Sequence, residues 1–247
     1  MTQPTVLYHV SDLHFGYEDR AALDWFAAEV ARERPAAVIC TGDLTMRGSA
    51  REYAAAAQWL AALPVPVSLE PGNHDVPYYH HMVRRLTRPY ARYHALEAEL
   101  ESEIVLPDVT VIPLKTVARA QFRLNWSKGR VSTGDLDSAL RGLAQHAACP
   151  VRLVACHHPL VEADTHSTAS TRGGKRALAA LARAGATAVL SGHVHDPFDQ
   201  LVELDGQTIR IIGAGTLSQR LRTSQPCFNR LELGADGALD VRVQTLD

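Results

Sequence analysis

The sequence predicts an α/β fold in which short buried strands alternate with amphipathic helices. Three observations carry this prediction. Up to Ser191, apolar runs of strand length are bounded by polar or glycine-rich turns. The stretches between those runs repeat alanine, leucine or tryptophan every three or four residues, and after Ser191 short strand-like runs follow one another directly. The first two patterns indicate βαβ units and a partly parallel sheet, and the third indicates antiparallel strands.

Six apolar runs are predicted as strands in the first part of the chain. A strand that is covered on both faces is apolar throughout, which is the pattern found here. The runs are residues 6–10, 37–40, 65–69, 109–114, 151–156 and 187–190. The predicted helices between them are residues 20–33, 49–63, 133–147 and 175–184.

Four further strands are predicted near the C-terminus, over residues 201–204, 208–213, 228–233 and 239–244. Asp205-Gly206 and Asp236-Gly237 separate them in pairs, and Asp-Gly is a strong hairpin signal. We expect these strands to be antiparallel and to complete a second sheet. Residues 78–103 are predicted as one or two inserted helices, interrupted near Pro89. This insertion is either a cap over a site or an arm for homo-oligomer formation, and the sequence leaves both open.

Composition limits the function classes. With 247 residues, the chain is expected to form one domain over residues 1–247. The 25 basic and 27 acidic residues are interspersed, which disfavours a nucleic-acid polymer as partner. No apolar run of about 18 residues and no signal-like N-terminal run occur, so we expect a cytoplasmic enzyme without membrane contact. The four cysteines form no CxxC pair, which is typical of reduced thiols.

Each candidate metal ligand lies where a predicted strand ends and a turn begins. The five turns are Ser11-Asp12-Leu13-His14, Gly42-Asp43-Leu44-Thr45, Pro71-Gly72-Asn73-His74-Asp75, His157-His158-Pro159 and Gly192-His193-Val194-His195. Taken singly, each is also compatible with a capping carboxylate or a tight turn. Because sites in open α/β sheets form at strand ends, five such turns in order indicate one shared site.

The ligand types indicate the chemistry. Oxygen and imidazole ligands without thiolates suit manganese, iron, zinc, nickel or cobalt. Two such metals lie about 3.5 to 4 Å apart in known sites, and a carboxylate can bridge them because it has two oxygens and a full charge. A metal pair can activate a bridging water and neutralise the attacking and leaving oxygens at phosphorus. The sequence therefore predicts phosphoester hydrolysis.

The ordered set DLH, GDLT, GNHD, HH and GHVH, which spans residues 12 to 195, resembles the calcineurin-like metallophosphoesterase superfamily. The resemblance implies a four-layer αββα sandwich of two mixed β-sheets flanked by helices. It implies two divalent metal ions, with manganese, iron or zinc expected. Under this resemblance the ligands of one metal are Asp12, His14 and His195, those of the other are Asn73, His157 and His193, and the bridging residue is Asp43.

The same resemblance implies that His74 faces the substrate phosphate as a catalytic residue, with Asp75 orienting its ring. A positioned histidine can serve as a general acid to the leaving alkoxide, or as a cation that stabilises phosphoryl oxygens. The alternative is that His74 only binds a metal-bound water. His158 either lines the pocket or packs beside it. The other histidines are expected to be structural or solvent-facing: His9, His80, His81, His94, His146 and His166.

The motifs also narrow the substrate. Protein serine/threonine phosphatases continue the second motif into Asp-Arg-Gly, whereas residues 42–48 read GDLTMRG, which counts against that class. GDLTMRGSAREY, PVPVSLEPGNHDVP and HHPL are similar to bacterial class III cyclic-nucleotide phosphodiesterases and their glycerophosphodiesterase relatives. We therefore expect a small-molecule phosphodiester as substrate. The alternatives are a phosphomonoesterase, a nucleotide-linked pyrophosphatase, and a non-catalytic metal-binding scaffold, which would have lost ligands or His74.

Two loops are candidates for setting specificity. The polar and aromatic residues of the loop 119–130 suit base stacking or pairing with a phosphoryl oxygen. They are Arg119, Asn125, Trp126, Lys128 and Arg130. A surface hairpin with solvated charges explains this loop equally well. The second candidate is the loop 163–174, whose composition indicates mobility.

Overall fold

The computed structural model describes residues 4–77, 82–119, 127–168, 171–234 and 237–246. Strands and helices alternate as far as β6, after which strands follow one another. The elements are β1 (Thr5–Val10), α1 (Arg20–Glu33), β2 (Ala37–Cys40), α2 (Ala50–Ala61), β3 (Val67–Leu69), α3 (Met82–Thr87), α4 (Ala91–Leu100), β4 (Val109–Pro113), α5 (Thr133–Gln145), β5 (Val151–Ala155), α6 (Gly174–Arg183), β6 (Ala188–Ser191), β7 (Phe198–Leu204), β8 (Gln207–Gly213), β9 (Cys227–Leu233) and β10 (Leu239–Thr245).

The strands form two mixed five-stranded sheets. The first has the order β10-β9-β1-β2-β3 and the second the order β4-β5-β6-β8-β7. β1, β2 and β3 are parallel to one another, as are β4, β5, β6 and β8. β9, β10 and β7 are antiparallel to their neighbours. The predicted mixed sheets are confirmed.

Three apolar clusters hold four layers together. Between the sheets, Leu7 and Ile39 of the first pack with Leu153 and Leu190 of the second, and all four are fully buried. The outer face of the first sheet packs against α1, α2 and α4, and that of the second against α5 and α6. The order of layers is therefore helix, sheet, sheet, helix, as the resemblance implied. Burying apolar surface on both faces of each sheet stabilises the arrangement by about 25 cal/mol per Å².

Local signals explain where two of the helices begin. The Ser49 hydroxyl accepts from the Glu52 N–H while the Glu52 carboxylate accepts from the Ser49 N–H, a capping box that starts α2. Ser132 caps α5 by accepting from the Asp135 N–H. α2 and α5 thus begin one residue after the cap, at Ala50 and Thr133.

The prediction for the C-terminal strands is wrong in one respect. These strands do not complete one second sheet; the β7–β8 hairpin extends the second sheet, while β9 and β10 extend the first. β8 also pairs in parallel with β6, so its carboxyl end lies at the same edge as that of β6. The Asp205-Gly206 hairpin is confirmed, whereas Asp236 lies outside the described residues.

The insertion consists of two helices within its described part, with Pro89 between them, and residues 78–81 lie outside that part. Tyr93 and Leu96 of α4 are buried in the chain's own core, against α2 and β3. Those contacts serve this chain and give no support to an oligomer arm. In the described parts of the chain, no helix is long and apolar enough to span a membrane.

Candidate metal centre

The carboxyl ends of strands from both sheets meet at one site. Asp12, Asp43 and Asn73 follow β1, β2 and β3 of the first sheet. His157 follows β5 of the second sheet, and His193 and His195 follow β6. The His193 N–H donates to Asp12 Oδ2 over 2.8 Å, which ties the two sheet edges together. The structure thus brings the predicted ligands into one place.

Asp12, His14 and His195 form the first group of ligand-type atoms, and all three are buried. His195 Nε2 lies 3.0 Å from Asp12 Oδ1 and 3.2 Å from His14 Nε2. His14 Nε2 lies 3.6 Å from the same Asp12 oxygen. Asp12 Oδ1 accepts no hydrogen bond of normal geometry from the described residues.

The second group contains Asn73, His157 and His193 and lies nearer the surface. His157 Nε2 lies 3.2 Å from Asn73 Oδ1 within this group and 3.5 Å from Asp43 Oδ2. The His193 ring lies 5.2 Å from the His157 ring, centroid to centroid. Asp43 Oδ2 is also 3.7 Å from His14 Nε2 in the first group. The Asp43 carboxylate therefore lies between the two groups.

Hydrogen bonds to the far side of each ring show where the lone pairs point. His195 Nδ1 donates to the Arg220 carbonyl (2.7 Å), and His157 Nδ1 donates to the Thr41 carbonyl (2.8 Å). Each Nε2 of a neutral ring then carries a lone pair aimed at carboxylate or amide oxygens. Acceptors facing acceptors repel unless a cation lies between them. Oxygen and imidazole ligands fit a divalent metal. The carbonyl partners of the two Nδ1 atoms fit it as well, because they fix the ring tautomer that leaves Nε2 for the metal.

Charges inside the site shift its pKa values. Burial alone would raise the pKa of Asp43, but the charges of His157 and His74 hold it well below its usual range. Burial also opposes the charged form of His157, yet the charge of Asp43 and a hydrogen bond to it raise the pKa of His157 to about 9. Burial and the charge on His157 lower the pKa of His193 to about 3. A proton on His157 therefore neutralises Asp43 in the metal-free protein, and a metal ion would replace that proton.

The turns that carry the ligands have an uncommon backbone. Seven non-glycine residues among those described have a positive φ, and five of them belong to the two groups and Asp43. Their φ angles are 57° at Asp12, 46° at His14, 52° at Asp43, 69° at His193 and 64° at His195. A Cβ on Gly72 would overlap Asp43, so glycine is required where the two turns meet. Left-handed residues redirect their side chains at the strand ends toward the site.

Asp75 was predicted to orient the His74 ring, and this prediction is wrong: in the described part of the chain the two side chains have different hydrogen-bond partners. His74 Nδ1 donates instead to the Met46 carbonyl over 2.7 Å. The buried Asp75 carboxylate accepts from the N–H groups of Leu44, Thr45 and Gly72 and from the Thr45 hydroxyl. Asp75 therefore joins the turns after β2 and β3, while His74 lies beside His14, 4.8 Å between ring centroids. Because its oxygens already accept these hydrogen bonds, the Asp75 carboxylate stabilises the backbone of the two turns and does not orient the His74 ring.

His158 packs beside the second group and is not one of its proposed ligands. Its Nδ1 is 3.0 Å from the Thr116 hydroxyl, and its Nε2 donates to the Ser127 carbonyl over 2.8 Å. Although His158, His157 and His193 bring nitrogens close together, both nitrogens of His158 are engaged by protein partners. His158 thus holds the second group in place from behind.

A cleft of about 260 Å³ opens over the site. Asp43, Asn73, His74, His193 and His195 line it, together with residues that the motifs did not single out. Those are Ser127, Ser167, Thr168, Arg220 and Arg222, and also Lys128, which was named above only as a specificity candidate. Both loops expected to set specificity contribute, since Lys128 Nζ donates to the Thr168 carbonyl over 2.7 Å.

Two residues of the loop 119–130 lie away from the cleft lining. Arg119 donates to the Leu86 carbonyl at the end of α3, and Arg130 belongs to a short bridge with Arg172. Asn125 and Trp126 lie outside the described residues. Arg220 and Arg222 were missed because their loop follows β8, and the parallel pairing of β8 with β6 carries that loop to the site. The only signal in the sequence was the Arg-Leu-Arg run after a strand end.

Three known proteins are similar to this chain in sequence or in fold. The glycerophosphodiester phosphodiesterase GpdQ of Enterobacter lignolyticus is 36% identical in an alignment 81 residues long that covers 28% of this chain and 29% of that protein. A dimetal phosphatase from Danio rerio has a TM-score of 0.65 at 14% identity, with 99% of both chains covered. Purple acid phosphatase PPD1 from yellow lupin (Lupinus luteus) has a TM-score of 0.69 at 10% identity, covering 99% of this chain and 52% of that one. At these identities the two structures show the shared fold.

A family match covers most of the chain. Residues 5–197 match the family described as calcineurin-like phosphoesterase, which is the stretch from β1 to just past the last histidine of the site. The matched stretch includes all five turns and every residue of the two groups. This chain therefore belongs to the calcineurin-like phosphoesterase family.

Proposed function

We propose that this chain hydrolyses a small phosphodiester with the help of two divalent metal ions. Family membership supports phosphoester hydrolysis in general. The observation that carries the proposal is the set of imidazole nitrogens and side-chain oxygens that converge from both sheets around a shared carboxylate, Asp43 Oδ2, at 3.5 and 3.7 Å from imidazoles of the two groups. That arrangement calls for two cations with one bridging ligand.

The proposed ligand sets follow the two groups. Asp12, His14 and His195 would hold one metal, Asn73, His157 and His193 would hold the other, and Asp43 would be shared. Asp43 has one oxygen left for this role, because Oδ1 accepts from the His74 N–H over 2.7 Å. When bound, the metals supply a water of lowered pKa and positive charge for the phosphoryl oxygens. His74, at the cleft edge of the first group, assists at the substrate phosphate.

The size of the cleft supports a small substrate. About 260 Å³ accommodates a phosphoester with a small alcohol. A diester is supported by the motif similarity and by the relative named a glycerophosphodiester phosphodiesterase. A monoesterase or a nucleotide-linked pyrophosphatase remains the competing activity, and a metal-binding scaffold the competing class.

The test is a metal-reconstituted substrate panel. Metal-free protein is reloaded with manganese, iron(II) or zinc, and turnover is compared for bis(4-nitrophenyl) phosphate, 4-nitrophenyl phosphate, a glycerophosphodiester, 3′,5′-cyclic AMP and a nucleotide pyrophosphate. We expect metal-dependent turnover with the highest kcat/KM on a diester. Faster monoester or pyrophosphate turnover would overturn the diester preference. Two bound metals without turnover of any substrate would indicate the scaffold.

A further inference from the structure

The loop between β8 and β9, residues 214–226, is attached to the site at several points. The Thr216 hydroxyl donates to the Asp12 carbonyl over 2.6 Å, and the Ser218 hydroxyl accepts from the Arg220 N–H over 3.3 Å. The Arg220 carbonyl accepts from His195 Nδ1 over 2.7 Å. The backbone of Arg220 is therefore held by the same contacts that orient a candidate ligand.

The Arg220 side chain turns into the cleft. It is partly buried, and its Nη1 lies 2.9 Å from His74 Nε2 and 3.3 Å from His14 Nε2. A guanidinium only donates, so His74 Nε2 must be an acceptor. The other nitrogen of that ring, Nδ1, faces the Met46 carbonyl and must carry the hydrogen. Both contacts are satisfied by one neutral tautomer of His74, which therefore holds Arg220 in place.

The remaining side-chain donors of Arg220, Nε and Nη2, face no acceptor in the part of the chain that the structure describes. Arg222, exposed and on the same wall of the cleft, likewise shows no hydrogen bond or ion pair from its side chain there. A planar guanidinium with a free N–H edge matches two oxygens of a phosphoryl group.

We propose that Arg220 binds the non-bridging oxygens of the substrate phosphoryl group and that His74 is the residue that positions it. This inference rests on the proposed function. It gives His74 a role that differs from general acid catalysis: the ring donates to Met46, accepts from Arg220 and keeps the guanidinium at the phosphate. Arg220 supplies charge and directed hydrogen bonds at the oxygens where negative charge increases during phosphoryl transfer.

The test measures binding of inorganic phosphate to the metal-loaded protein by calorimetry, with metal content determined for every sample. We expect Arg220→Gln to weaken phosphate binding at least tenfold at unchanged metal content, because one or two charge-assisted hydrogen bonds are lost. Arg220→Lys keeps the charge without the fork and should give an intermediate loss. Arg183→Gln is the matched control, since Arg183 is exposed and pairs with Asp205 away from the cleft. Phosphate affinity that is unchanged in Arg220→Gln, or that falls only as metal content falls, would overturn the assignment.

The positioning role is tested by a double-mutant cycle. His74→Ala should weaken phosphate binding as well, and His74→Ala combined with Arg220→Gln should bind no more weakly than Arg220→Gln alone. Fully additive losses would overturn positioning by His74. The two proposals fail in different ways: wild-type protein without metal-dependent turnover contradicts the proposed function, whereas wild-type turnover with unaltered phosphate binding in Arg220→Gln contradicts the role of Arg220 alone.

Discussion

The two ligand groups differ in how far they are enclosed. Asp12, His14 and His195 are at most 3% exposed. Two residues of the loop 214–226 support this group: the Thr216 hydroxyl donates to the Asp12 carbonyl, and the Arg220 carbonyl accepts from His195. In the second group His157 is equally buried, but Asn73 and His193 are only partly buried and line the cleft, as does His195 of the first group. An enclosed site binds its metal with preset geometry, whereas a site at the mouth leaves a position for substrate. We infer that substrate reaches the centre from the side of the second group.

The largest expected effect comes from removing the residue common to both groups. Asp43→Asn keeps the shape and suits a left-handed backbone, but it loses the charge and one acceptor oxygen. We expect binuclear binding to be lost and turnover to fall about 100- to 10,000-fold, since metal charge stabilisation is worth several kcal/mol. Elemental analysis and kinetics check this. Two metals per chain at wild-type affinity would refute the bridging role.

Substitutions within one group should separate the two sites. Asn73→Ala or His193→Ala should lower the metal affinity of the second group by more than about 100-fold, because even outer partners of ligands contribute 10- to 100-fold. The first group should stay filled, and His195→Ala should give the reverse pattern. Anomalous scattering at each site provides the measurement. If Asn73→Ala and His193→Ala empty different sites, the grouping is wrong.

A residue behind the second group should have a smaller effect. His158→Asn removes the contacts with Thr116 and Ser127 while leaving every proposed ligand in place. We expect the second group to bind metal about 10- to 100-fold more weakly, with the first unaffected. Isothermal titration with manganese measures both affinities. His94→Asn, an exposed surface change, is the control, and equal behaviour of the two variants would show that His158 only fills space.

The smallest effect is expected behind the first group. Thr216→Val is nearly isosteric and removes the buried hydroxyl that donates to the Asp12 carbonyl. The same hydroxyl also contacts the Ser218 hydroxyl and accepts from the Ser218 N–H. Loss of these hydrogen bonds should lower the free energy of unfolding by about 1 to 3 kcal/mol, with metal affinity of the first group falling less than tenfold. Urea unfolding of metal-free protein gives the first quantity. If Thr216→Val weakens metal binding more than His158→Asn does, the more enclosed first group depends on its supporting contacts more than the second group does, contrary to this prediction.

The sequence predicted those features that depend on local signals. Apolar runs followed by turns located Asp12, Asp43, Asn73 and His157, because in parallel sheets strand ends meet at one edge. The Asp205-Gly206 turn predicted its hairpin but contained no information on which strand the hairpin would join. That choice depends on contacts distant in sequence, so the parallel pairing of β8 with β6 was missed and Arg220 with it. The partner of His74 was missed for another reason: a backbone carbonyl, that of Met46, has no side-chain signature.

The left-handed ligand turns have a consequence for selection. A left-handed conformation costs roughly 1 to 2 kcal/mol per non-glycine residue, and Asp12, His14, Asp43, His193 and His195 all adopt it. Glycine relieves that strain, and asparagine tolerates it better than histidine does. A library screened for heat resistance of the metal-free protein would therefore accumulate glycine and asparagine at these turns and lose turnover while gaining stability. Histidine and aspartate are therefore retained at these turns only when variants are selected for activity.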